Sequence, residues 1–361
     1  MKGMRRFFYI ILIVCLCGCG SKITETNPLI IKQNPIVGVE EETEGNSTED
    51  YMLEDEQTVI LSEERKKIPV NTTNQTITTE WDGVYLSRIY AVSESKIYLC
   101  QWATEDRESA LFVLEDGEDV LKSIDANIPN GMNIYGISSD VSGHIYLLLR
   151  TKLSTSKNIT SVIREIDAEG NIVQDFDITE AIQNKIEWHQ TFFVDYSGNF
   201  FIRGMVSSIC ISNEGTLLWE VTDESIGISY SYGWTLGTDR DLYMTYQKDN
   251  NSYIGRIDLS NGMILDEYEL KQIDSNSVIL AIGQGTDSDL LLYDNMRGGW
   301  VWNKEKNELE NRTYLSETDL PYNEYILIRA FLEDGRLLLI KNISNGDERV
   351  GRTYQYISVG K

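Results

Sequence analysis

The chain has 361 residues, 41% apolar and 25% charged, with 27 Gly and only five Pro, which is a globular composition rather than a disordered or collagen-like one. Its 57 acidic and 32 basic residues leave a formal charge of −25, which repels phosphate backbones and excludes a nucleic-acid partner. Two histidines, His144 and His189, are too few for most His-based metal sites and the common catalytic triads.

In chain order, residues 1–18 carry three positive charges (Lys2, Arg5, Arg6) and then an apolar run from Phe7 to Leu16. That is a secretory signal, since a spanning helix needs roughly 20 apolar residues. The segment Leu16-Cys17-Gly18-Cys19 resembles the lipobox of bacterial lipoproteins. The resemblance implies cleavage before Cys19, a diacylglycerol thioether on its sulfur and acyl chains such as palmitate. It also implies a location on the outer face of the bacterial cell membrane, with the membrane as a partner through the lipid. Cys17, where small residues are usual, is the one departure. An uncleaved anchor or a coincidental Cys is the alternative.

From Cys19 to residue 71 no apolar periodicity is sustained, and Glu40 to Asp50 is acidic and polar without a basic residue. Like charges extend such a segment, so 19–71 reads as a disordered tether. An acidic docking tail is the sharper alternative, without support from spacing.

The remainder, 72–361, is dominated by a repeat. Six β-rich runs each follow a turn-forming residue, with their first apolar residues at Ile97, Ile145, Phe200, Leu242, Leu290 and Leu337. Each has a strand-like stretch before it, and the first five have a second hairpin after it, as at Asp167-Ala168-Glu169-Gly170-Asn171 and Ser212-Asn213-Glu214-Gly215-Thr216. Gly and Asn supply the positive φ that hairpin turns require. Four strands at a period of about 48 residues predict a six-bladed, all-β propeller of four-stranded antiparallel blades. A solenoid or a sandwich is the alternative. The sixth unit ends at its third strand, near Val359, and a spare strand-like segment lies at Asn74–Glu80. The N-terminal segment is therefore expected to close the ring and cover an open edge. One short helix is expected over Asp177–Lys185.

The repeats lack the patterns of WD40 and kelch units. The stretch Asn213-Glu214-Gly215-Thr216-Leu217-Leu218-Trp219 is similar to quinoprotein-like repeats in blade geometry alone. Lipobox, acidic tether and divergent blades together look like exported propeller lipoproteins of low-GC Gram-positive bacteria. In that group a similar propeller often precedes a solute-binding domain of ABC-transport lipoproteins. Here the chain ends at the propeller, so the resemblance leaves open a remnant of such a protein.

His144 and His189 each stand at a strand start without a second ligand, and structural roles are expected for both. Cys100 and Cys210, a blade apart, are expected as buried free thiols, beyond the roughly 7 Å Cα limit for a disulfide. Tyr230, Tyr232 and Trp234 alternate on the first strand of the fourth unit, as Trp300 and Trp302 do in the fifth. They are expected as packing between blades, with a sugar platform as the alternative. Acids such as Asp116, Glu169, Glu214 and Asp287 sit in turns without a distinguishing pair, Ser138 to Gly143 misses the sialidase register, and no Ca²⁺ loop appears. No cofactor, metal or catalytic residue is assigned, and the chain is expected not to be an enzyme. The function read from sequence is a lipid-anchored binding or interaction module for an unidentified protein or carbohydrate. The alternatives are an exported glycosidase or lyase, or the transport remnant.

Overall fold

The computed structural model describes residues 73–76, 84, 86–93, 96–103, 107–115, 118, 120–140, 142–151, 159–183, 185, 189–273, 277–285, 289–312, 320, 324–332, 334–345 and 348–358. Cys19, the signal, the tether, Asp116, Trp188 and Asp287 lie outside them.

The described strands form six four-stranded antiparallel sheets. The first is β2 (Leu86–Ser93), β3 (Lys96–Gln101), β4 (Ala110–Glu115) and β5 (Lys122–Ile124). The second is β6 (Met132–Ser139), β7 (Ile145–Thr151), β8 (Ser161–Ile166) and β9 (Ile172–Asp177), and the third is β10 (His189–Val194), β11 (Phe200–Gly204), β12 (Ser207–Ile211) and β13 (Leu217–Thr222). The fourth holds β14 (Tyr230–Leu236), β15 (Leu242–Lys248), β16 (Asn251–Ile257) and β17 (Ile264–Glu269), and the fifth β18 (Ile279–Gln284), β19 (Leu290–Asp294), β20 (Gly298–Asn303) and β21 (Glu308–Asn311). In the sixth, β22 (Glu324–Phe331), β23 (Arg336–Asn345) and β24 (Glu348–Ser358) are joined at the outer edge by β1 (Thr73–Thr76), with Thr73 opposite Tyr356 and Thr76 opposite Thr353.

Burial follows position in the sheet. Second strands are covered on both faces by neighbouring sheets, so they read as continuous apolar runs: Ile145 to Arg150 of β7 are all buried. Outer strands have one wet face, and β17 alternates half-buried and exposed residues along its whole length.

Six apolar layers each join two consecutive sheets. Tyr98 and Leu111 of the first meet Ile134 and Leu147 of the second, and Tyr146 of the second meets Phe192 and Phe200 of the third. The series continues through Trp219 against Trp234, Tyr243 against Trp302, and Leu291 against Leu337. The last layer returns to the start, with Leu338 and Ile340 of the sixth sheet against Leu86 and Leu99 of the first. The architecture is an all-β propeller of four-stranded blades.

Every first strand carries a register shift against its second, at Leu86/Tyr90, Ile134/Gly136, His189/Thr191, Ser231/Gly233, Ile279/Ala281 and Ile326/Ile328. One recurrent bulge bends each strand where it enters the ring. It also overturns the expectation that Tyr230, Tyr232 and Trp234 share a face. The extra residue puts Trp234 on the side of Ser231, whose Oγ accepts from Trp234 Nε1 at 3.4 Å. Trp300 and Trp302 do share one packed layer. Cys100 and Cys210 are free, buried and in different layers. The helix α1 spans only Thr179–Ile182, shorter than the sequence suggests, and packs Ile182 under the second and third sheets.

Candidate functional site

The turns between paired strands share one construction. Asp195 Oδ1 accepts the backbone N–H of Ser197 (2.8 Å) and Asn199 (2.7 Å), and Asn199 Nδ2 closes onto Asp195 Oδ2 at 3.1 Å. Asp167 does the same with the N–H of Glu169 and Asn171 and with Asn171 Nδ2 at 2.9 Å. These turn bonds, led by Asn171, hold the Asp167 carboxyl below the usual carboxylate range. Gly170 follows with φ of +93°, which only Gly adopts without strain.

The β6–β7 turn begins the same way and then departs. Asp140 Oδ1 takes the N–H of Ser142 (2.8 Å) and His144 (3.0 Å), and Gly143 has φ of +83°. At the Asn position stands His144, whose Nδ1 is 3.9 Å from Asp140 Oδ2, too far to bond. Tyr146 Oη takes over Asp140 Oδ2 at 3.1 Å. His144 Nδ1 turns instead to Glu165 Oε1 at 2.7 Å.

Glu165 is a second departure. It lies on β8 opposite Tyr146, and the matching places hold Val113 opposite Tyr98, Cys210 opposite Phe201 and Val301 opposite Leu291. Its residue is 8% exposed, so a carboxylate occupies a position the repeat gives to small apolar side chains. Because an ionised carboxylate only accepts, Nδ1 must carry the hydrogen in this pair, which leaves the lone pair on Nε2. Burial, then the charges of Asp140 and Glu165, pushes the Tyr146 phenol far above its ordinary range, keeping it a neutral donor to Asp140.

The pair opens on a cleft of about 270 Å³ between the first and second sheets. Ser93, Lys96 and Tyr98 line it from one side, and Ser142, Gly143, His144, Asp167 and Glu169 from the other. Among the described residues no ion pair holds the Lys96 ammonium. The cleft can take a small polar molecule, present it to a basic nitrogen and offer a cation to an anionic group. No group of three His, Cys, Asp or Glu at metal-binding distance occurs among the described residues.

The remaining candidates stay apart from this site. His189 opens β10 in the third sheet, and Glu214 is exposed in a turn of that sheet. Glu169 does reach the cleft, as a lining residue of the β8–β9 turn. Sequence reasoning passed over Glu165 and Lys96 and gave His144 a purely structural role. The signal was present: His144 replaces an Asn in the turn pattern of Asp195 and Asp167.

No family model matches the chain, and no curated protein matches it. Solved structures of similar architecture include a streptogramin B lyase at 15% identity and TM-score 0.47, covering 80% of this chain and 97% of that one. Others are virginiamycin B lyase from Staphylococcus aureus (12%, TM-score 0.48, 80% and 99%) and a putative gluconolactonase (10%, TM-score 0.47, 81% and 94%). At these values the likeness is one of fold, and it assigns no reaction or ligand to this chain. It does overturn the expectation that the chain is not an enzyme, since structures so arranged include lyases. That expectation rested on a missing acid pair, and His144 with Glu165 supplies a different kind of pair.

Proposed function

We propose that this chain is an exported lipoprotein, held by a lipid on Cys19 at the outer face of the bacterial membrane. Its propeller, six-bladed and closed through β1, binds a small polar ligand in the cleft at His144. One observation carries the choice of site: two positions of the second sheet, His144 and Glu165, break the repeat together and meet each other at 2.7 Å. Where a local rule is broken without gain to stability, function is the ordinary reason. The signal and lipobox from Lys2 to Cys19 support export, and the acidic run Glu40–Asp50 suits a tether above the membrane.

The test is a titration of the tether-less domain with mono- and disaccharides and small carboxylates, followed by backbone amide shifts. Shifts should gather at Ser93–Tyr98, Ser142–His144 and Asp167–Glu169, and His144→Asn, which restores the repeat residue, should weaken binding at least about tenfold, or 1.4 kcal/mol. Equal binding by that variant would refute the assignment of the site. For the anchor, Cys19→Ala should abolish labelling by a clickable fatty acid, and unchanged labelling would remove the lipoprotein reading.

A further inference from the structure

We propose that His144 Nε2 is a general base, fixed in one tautomer by Glu165, and that it acts on small carbonyl compounds. The inference rests on the cleft being the ligand site and goes on to name the chemistry done there. Glu165 holds Nδ1–H at 2.7 Å, and its side chain is only 11% exposed, so the imidazole has a fixed orientation and a nearby charge to stabilise its protonated form. A buried carboxylate behind a partly exposed imidazole is the arrangement that makes the outer nitrogen a proton acceptor. His144 keeps 39% of its side chain open to solvent, and it lines the cleft.

The step balances within the site. The proton on the carbon beside the carbonyl passes to the Nε2 lone pair, and the C–H bonding electrons stay on the substrate as an enolate. The imidazolium is matched by the Glu165 carboxylate, and the enolate oxygen is met by the Lys96 ammonium. Return of the proton to carbon completes an isomerisation, and its delivery to a leaving group completes an elimination. His144 and Lys96 touch the substrate, while Glu165 acts through His144 as a positioning residue.

Diethyl pyrocarbonate tests the nitrogen without a substrate. Imidazole nitrogen attacks one carbonyl, an ethoxycarbonyl group is transferred, and the leaving half departs as ethanol and carbon dioxide. A chain carrying His189→Asn has His144 as its single histidine. It should gain one ethoxycarbonyl group, on Nε2. Glu165→Gln, whose amide can donate to Nδ1 and invert the tautomer, should slow the reaction at least about tenfold. It should also displace the pH profile of the rate, which loss of packing alone would not do in a folded chain. Modification at Nδ1, or a glutamine variant reacting at the parent rate, would overturn the proposal. If the glutamine variant does not fold, the position of the group on the parent chain decides alone. Failure here leaves the ligand titration untouched, so the two readings fall separately.

Discussion

Asp223 and Arg203 form the most enclosed ion pair of the described chain, at 2.6 and 2.7 Å in a two-pronged contact, with Arg203 2% and Asp223 6% exposed. Arg203 Nη1 also reaches Ser208 Oγ, and Nη2 the carbonyl of Met205. Removing one partner strands the other charge away from water, which costs about 3–5 kcal/mol, far more than the pair gains by existing. Asp223→Ala should therefore destabilise the domain by about that amount in urea unfolding. Arg203→Met combined with Asp223→Leu should cost clearly less than Asp223→Ala alone. Equal losses would mean that the pair itself, not the stranded charge, dominates. Legibility at this scale was uneven. Cys100 and Cys210 could be read as buried thiols from their strand positions, and burial pushes both up to about 12. Glu165 could not be singled out, because its meaning comes from a cross-strand register that no linear spacing displays. The same applies to His144, whose turn pattern becomes informative only beside Asn199 and Asn171.

At the scale of elements, turns and strand phase were plain in the residues, because a turn needs positive φ at fixed places and a strand between two sheets must be apolar on both faces. Bulges were not plain. Each first strand holds one residue more than its partner, and a one-residue insertion reverses which face every later side chain takes. That is why alternation put Tyr232 and Trp234 on one face and the structure does not. Close approach of neighbouring first strands is also invisible in sequence. A Cβ on Gly136 of β6 would lie 2.6 Å from Cβ of Phe192 on β10, and one on Gly283 of β18 would lie 2.4 Å from Cβ of Phe331 on β22. Two links fasten the same inner ring: Ser139 Oγ donates to the carbonyl of Val92 at 2.8 Å, and Val194 N–H donates to Ser138 Oγ at 3.0 Å. Gly136→Val should cost about 1–3 kcal/mol by overpacking, measured by urea unfolding. In the background of Phe192→Ala the same change should cost much less, because the clash is gone. Additive costs would show that β6 and β10 do not approach as described.

Over the whole molecule, stability depends on every sheet having two neighbours, and the edge of β24 is paired with β1 at Thr73–Thr76. Several main-chain bonds, each worth about 0.5–1.5 kcal/mol net, are at stake in that pairing. Removal of residues 20–70 should leave the melting temperature unchanged, whereas removal of 20–82 should lower it by several degrees or more and expose an edge that promotes aggregation. Identical melting of the two truncations would contradict a stabilising role for β1. The central claim concerns the one place where the repeat is broken by two residues that meet. A long-range proton–nitrogen correlation spectrum of the imidazole, recorded on the domain with His189→Asn, reads it without any ligand. The account predicts a single imidazole with hydrogen on Nδ1 and a bare Nε2, converted by Glu165→Gln to the opposite tautomer. An imidazole carrying its hydrogen on Nε2 in the parent domain, or one averaging freely between both forms, would contradict it.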